Sequence, residues 1–142
     1  MANDIKIQLR QISTTTSEAI FGKHRVLVDR PVAKGGSDAG PMGGELFLAS
    51  IGGCFMSNIL AAIRAREARI SDVQTEVTGT LADSPVRFSS VELYVTAKSD
   101  DPELLEKIVQ IADRACIMMN TLRDKLELRI RVGAAEKISG LP

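Results

Sequence analysis

The sequence predicts an α+β fold in one domain spanning residues 1–142: an N-terminal β-hairpin, a long buried central helix, a second β-hairpin, an amphipathic helix and a final strand. Three observations predict it. Stretches of alternating apolar and polar residues flank a long apolar segment, Leu46 to Ile63, that carries no charge. Helical spacing of apolar residues returns after Pro102, and one more alternating stretch closes the pattern. Strands grouped in hairpins, with helices set apart from them, define the α+β class. A chain of 142 residues is long enough for one real core and short of what two independent domains need.

The elements follow in order. Ile5, Ile7 and Leu9 alternate with Lys6 and Gln8, as a strand with one wet face does. After the polar "STTTSE", Val26 and Val28 alternate within "AIFGKHRVLVDR", a second strand able to pair back on the first. "PVAKGGSDAGPMGG", from Pro31 to Gly44, is turn chemistry throughout and predicts a long loop of the kind that often carries function. "GELFLASIGGCFMSNILAAIRARE" runs without proline and is apolar almost all round until Arg64, so it predicts a helix buried on every side. Its glycines, Ser50, Ser57 and Asn58 suit a buried helix better than a membrane span. One helix on one small sheet leaves its far side uncovered, and a second copy of the chain removes that difficulty.

"VQTEVTGTLA" and "FSSVELYVTAK" alternate strictly around the short "DSPVR", which predicts the second hairpin. Asp101 before Pro102 is an N-cap followed by a first-turn proline, and Leu104, Leu105, Ile108, Ile111, Ala112 and Ala115 form one apolar stripe. "NTLRDK" turns or makes a short helix, and "LELRIRV" alternates as the last strand.

Composition removes several functions. The formal charge is zero with Lys and Arg scattered, which gives no basic footprint for nucleic acid. Five aromatics and no Trp leave little for stacking on bases or sugars. The N-terminus lacks the apolar core of a secretory signal, so the expected location is the cytoplasm. His24 is the only imidazole, and neither CxxC nor HExxH occurs, so triads and metal centres are poorly supplied. His24 itself reads as a surface residue. The glycines of residues 35–44 match neither a phosphate loop nor GxGxxG, and suit a close backbone approach instead.

Two cysteines remain, Cys54 inside the buried helix and Cys116 at the end of the amphipathic one. In a reducing compartment they are either inert core residues or a redox pair. A pair in one pocket can reduce a peroxide: a thiolate takes one oxygen as sulfenic acid, and the second thiol condenses with it to a disulfide.

The segment "GGSDAGPMGGELFLASIGGCFMSNILAAI", with "ADRACIMMNTL" further on, resembles the OsmC/Ohr family of osmotically induced and organic-hydroperoxide-resistance proteins. The resemblance implies an OsmC-like fold in an intertwined homodimer. It also implies thiol-dependent reduction of hydroperoxides, organic ones above all, with no bound cofactor and an external dithiol, lipoyl-type or other, as reductant. By position Cys54 matches the attacking cysteine and Cys116 the resolving one. Arg30 in "LVDRP" occupies the place of the arginine that holds thiolate and peroxide, with Arg10 and Arg25 as weaker substitutes, and the alternative for Arg30 is a strand end facing water.

Two positions depart from the family pattern. Gly44 stands where the arginine-clamping carboxylate is expected, with Glu45 one residue later, a turn of about 100° on a helix. Glu45 is thereby placed to cap the helix or to pair with a residue other than Arg30. Ile117 stands where the family has proline after the second cysteine. Phe47, Phe55, Met56, Met118 and Met119 are the residues expected to line an apolar substrate pocket. The competing expectation is a small-ligand-binding protein on the same dimer scaffold, its cysteines structural.

Overall fold

A computed structural model describes residues 3–133. The chain forms two compact units divided between Phe47 and Leu48.

The first unit is a three-stranded antiparallel sheet in the order β1 (Gln8–Gln11), β2 (Ser17–Phe21), β3 (His24–Val28). An N-terminal hairpin is present, but its second arm is β2, and the Val26–Val28 strand expected to pair back on the first strand pairs with β2 instead. The segment read as a single second strand folds into two, reversed at Gly22, whose φ of 61° is one that side-chain-bearing residues rarely adopt. Ile5 and Ile7 precede β1 instead of lying in it and are exposed. Beyond β3 the chain makes a single 3-10 turn, Val32–Lys34, and doubles back under its own strand. A Cβ on Gly36 would overlap the Arg30 carbonyl and one on Gly40 the Leu27 carbonyl, so the loop closes this tightly only with glycine there.

Asp29 organises the loop from inside. It is 4% exposed, and its carboxylate accepts hydrogen bonds from the Thr16 hydroxyl at 2.9 Å and from the backbone N–H groups of Arg30 (2.7 Å), Ser37 (3.2 Å) and Ala39 (3.2 Å). Burial pushes this carboxyl up, but these four donors outweigh it and hold the pKa at about 2.

The second unit joins most of helix α1 (Gly43–Ala65) to a second sheet and two further helices. Strands β4 (Ile70–Ala82) and β5 (Arg87–Ser99) pair antiparallel as the expected hairpin, and β6 (Glu127–Val132) adds parallel to β5. A parallel neighbour needs a crossover. Here α2 (Pro102–Ala115) and α3 (Ile117–Leu122) supply it. The Asp101 carboxylate caps α2 by accepting from the Leu104 N–H at 3.1 Å, and Leu105, Ile108, Val109 and Ala112 form its buried stripe.

Directly paired residues share a sheet face, so Thr75, Val77, Leu93 and Val95 point the same way. That face meets α1. The Thr75 hydroxyl donates to the Met56 sulfur at 3.0 Å, and a Cβ on Gly52 would come within 2.7 Å of a Val77 methyl. Gly52 therefore lets the helix lie close on the strand. On the opposite face Arg131 pairs with Glu92 and stacks 4.3 Å above the Tyr94 ring, tying β6 to β5.

Helix α1 departs from the expectation of burial on every side within one chain. Its buried residues are Ile51, Gly52, Phe55, Ile59 and Ala62, a single stripe at helical spacing. Ala49, Gly53, Ser57 and Ala61 are exposed on the remainder, and Leu60 is 52% exposed. The helix is also long and apolar enough to cross a membrane, yet its inner stripe is committed to the chain's own core.

Candidate active site

Cys54 sits in the middle of α1, one position before the fully buried Phe55, and is half-buried. Cys116 is the single residue between α2 and α3, extended at φ −76° and ψ 119°, and is fully buried. The proline-free run Leu46 to Ile63 keeps the first on a continuous helix. The second lies at a corner where one helix stops and another begins.

The fold brings the two sulfurs together. Burial pushes the Cys54 thiol up, but hydrogen bonds from the Met118 N–H, the Cys116 thiol and the Ile117 N–H outweigh it and hold Cys54 below the ordinary thiol value. Both N–H groups belong to the first turn of α3, where backbone donors have no partner within the helix. Cys116 moves the other way. Burial raises it, a hydrogen bond from the Met119 N–H pulls it down, and donation to Cys54 raises it again, leaving it above the ordinary value.

Sequence reasoning missed Asn58 in this role. Its amide Nδ2 donates to the Cys54 carbonyl at 2.9 Å and lies 3.9 Å from the Cys54 sulfur. The signal was present: Asn58 follows Cys54 by one helical turn in a segment without charge.

The other expected residues are placed as follows. Phe55 is 0% and Met119 1% exposed, so within one chain both are core residues. Met56, Met118 and Phe47 are half-buried. Arg30 and Glu45 belong to the first unit. Arg30 is exposed, its carbonyl accepting from the Asp38 N–H at 3.0 Å. The Glu45 carboxylate accepts from the Met42 N–H at 2.9 Å, which caps the start of α1 as its shifted position allows. Among the described residues no cluster of His, Cys, Asp and Glu is suited to hold a metal ion.

Two thiols in contact, one acidified and one not, mounted on an α+β frame of two three-stranded sheets, define a paired-cysteine protein. The chain belongs to the OsmC-like protein family, whose model matches residues 35–131 and so includes both cysteines. Comparison with curated proteins finds no match. Among solved structures it is similar to an OsmC-like protein from Mycoplasma pneumoniae, with TM-score 0.82, 17% identity and coverage of 96% of this chain and 100% of that one. It is similar to an organic hydroperoxide resistance protein OsmC from Legionella pneumophila, with TM-score 0.73, 18% identity and coverage of 94% and 98%. The organic hydroperoxide resistance protein OhrB of Bacillus subtilis gives TM-score 0.69, 20% identity and coverage of 90% and 96%. At these identities the likeness concerns the fold, which is the OsmC-like fold.

Proposed function

We propose that this chain is a cytoplasmic thiol-dependent peroxidase acting on organic hydroperoxides as a homodimer. The Cys54 thiolate attacks the outer peroxide oxygen and the O–O bond breaks. That oxygen stays on sulfur as a sulfenic acid, and the other leaves as an alkoxide that takes a proton to become the alcohol. The Cys116 sulfur then attacks the sulfenic sulfur, expelling its oxygen as water and closing a disulfide. An external dithiol, lipoyl-type or other, returns both cysteines to thiols and is itself oxidised to a disulfide. In this reading the Arg30 guanidinium donates to the peroxide oxygens, Glu45 serves the site only by capping the start of α1, and Met56 and Met118 face the substrate tail.

The observation that carries the reading is the hydrogen bond from the Cys116 thiol to the Cys54 sulfur. It gives one cysteine the raised acidity an attacker needs and keeps the other protonated beside it, where a resolving thiol must be. The Legionella and Bacillus proteins are named for organic hydroperoxide resistance, which is consistent with that chemistry. The exposed apolar flank of α1 supports a second copy.

The test uses cumene hydroperoxide, peroxide loss and intact mass. Reduced wild type should consume peroxide and lose the mass of two hydrogens. Cys54→Ser should do neither, and Cys116→Ser should gain oxygen on Cys54. Peroxide consumption equal in wild type and Cys54→Ser would sink the proposal.

A further inference from the structure

Helix interiors disfavour asparagine, because its short amide competes for backbone groups and suits turns and caps better. Asn58 nevertheless sits well inside α1, half-buried, with apolar Ile59 and Leu60 following it. Its amide has two N–H groups. One is used on the Cys54 carbonyl, 2.9 Å away, which anchors the side chain one turn back along its own helix. The same nitrogen lies 3.9 Å from the Cys54 sulfur, the outer limit for a neutral thiol, which is a weak acceptor. A thiolate is a charged acceptor and draws such a donor closer.

We infer that Asn58 is a thiolate-holding residue: anchored on the Cys54 carbonyl, its amide donates to the Cys54 sulfur once that sulfur is ionised and keeps it in one orientation for attack. This rests on Cys54 being the attacking thiol. The donor comes from the cysteine's own helix, whereas the other donors come from the α2–α3 corner, so the sulfur is held from two elements at once. The titratable group facing Cys54 from that corner is the Cys116 thiol, and the remaining groups there are the backbone N–H groups of Ile117 and Met118. From α1 itself Asn58 supplies an amide within reach of the sulfur.

The test is the pH dependence of iodoacetamide alkylation at Cys54, followed by peptide mass in the full chain. Two variants separate the two bonds. Asn58→Leu keeps the side-chain volume and removes both. Asn58→Ser keeps a bond to the carbonyl one turn back, as helical serines do, but cannot reach the sulfur. In both, the alkylation midpoint should rise by roughly half to one pH unit, the size of one ordinary hydrogen bond. Alkylation at neutral pH should slow about 3- to 10-fold, with circular dichroism unchanged. A wild-type midpoint in Asn58→Leu, or its restoration in Asn58→Ser, would overturn the inference and leave Asn58 a helix-packing residue. A raised midpoint in both variants alongside a wild type that consumes no peroxide would uphold the inference about the sulfur and defeat the peroxidase reading, so the two failures are told apart.

Discussion

The Cys116 thiol donates a hydrogen bond to the Cys54 sulfur, and this contact pulls the acidities of two chemically identical side chains in opposite directions. Burial raises both. Cys54 is then lowered overall by the donors it receives, while Cys116 ends raised because its proton is the one donated. As pH rises, the Cys54 thiolate therefore forms first. Iodoacetamide at neutral pH should label Cys54 ahead of Cys116, with about a tenfold rate ratio for each pH unit between their midpoints. Equal labelling of the two at neutral pH would contradict this ordering.

Ile117 offers a sharper test of where the acidity comes from. Its side chain is 66% exposed, so it contributes little packing, but its N–H is one of the donors to Cys54. Proline is well accepted at the first position of a helix and has no N–H to give. Ile117→Pro should leave the helical signal intact, raise the Cys54 alkylation midpoint and slow labelling at neutral pH by about 3- to 10-fold. An unchanged midpoint would show that this donor is dispensable.

Asp29 links the glycine loop to acid stability. Its carboxyl is held at about 2 against an ordinary 3.8, so the folded state binds the proton more weakly than the unfolded chain does. Its contribution is complete above the unfolded value and is lost as pH falls toward 2. Asn in its place turns an N–H₂ group toward backbone donors. Asp29→Asn should lower the melting temperature by several degrees at neutral pH, and the gap to wild type should narrow as pH falls through the window between the two values. A gap that does not depend on pH would mean that the charge plays no part.

Leu60 tests the second copy. Its side chain lies 52% exposed on the apolar flank of α1, away from the helix's buried stripe. Leu60→Glu should leave the fold of one chain intact, since nothing in the core is altered. If the flank packs on a partner, burying an unpaired carboxylate there should convert a dimer into a monomer in sedimentation velocity. A variant as dimeric as wild type would remove that flank from the interface.

Much of this could be seen in the residues alone, for particular physical reasons. The Asp101–Pro102 start and the Leu105–Ile108–Ala112 stripe of α2 are local signals, and the structure uses them as written. The β4–β5 hairpin was legible because one face is buried and the alternation is strict. Strand β2 was harder: "SEAIF" offers one fully buried residue, Ala19, and its polar start resembles a connector. Asp29 carried no signal, because four of its donors are a threonine hydroxyl and three backbone N–H groups that take their positions only once the loop has closed. Cys54 stood out in the sequence, but its meeting with Cys116 depends on a corner between two helices, which periodicity along the chain does not encode.

That corner also determines what oxidation does to the molecule as a whole. Cys54 and Cys116 lie on separate elements, with β4, β5 and α2 between them in the chain. A bond between their sulfurs closes a loop of about sixty residues, and such a tie removes conformational freedom from the unfolded chain equivalent to roughly 4 kcal/mol. The oxidised protein should therefore melt well above the reduced one, so that its resistance to heat becomes a gauge of how recently it met an oxidant.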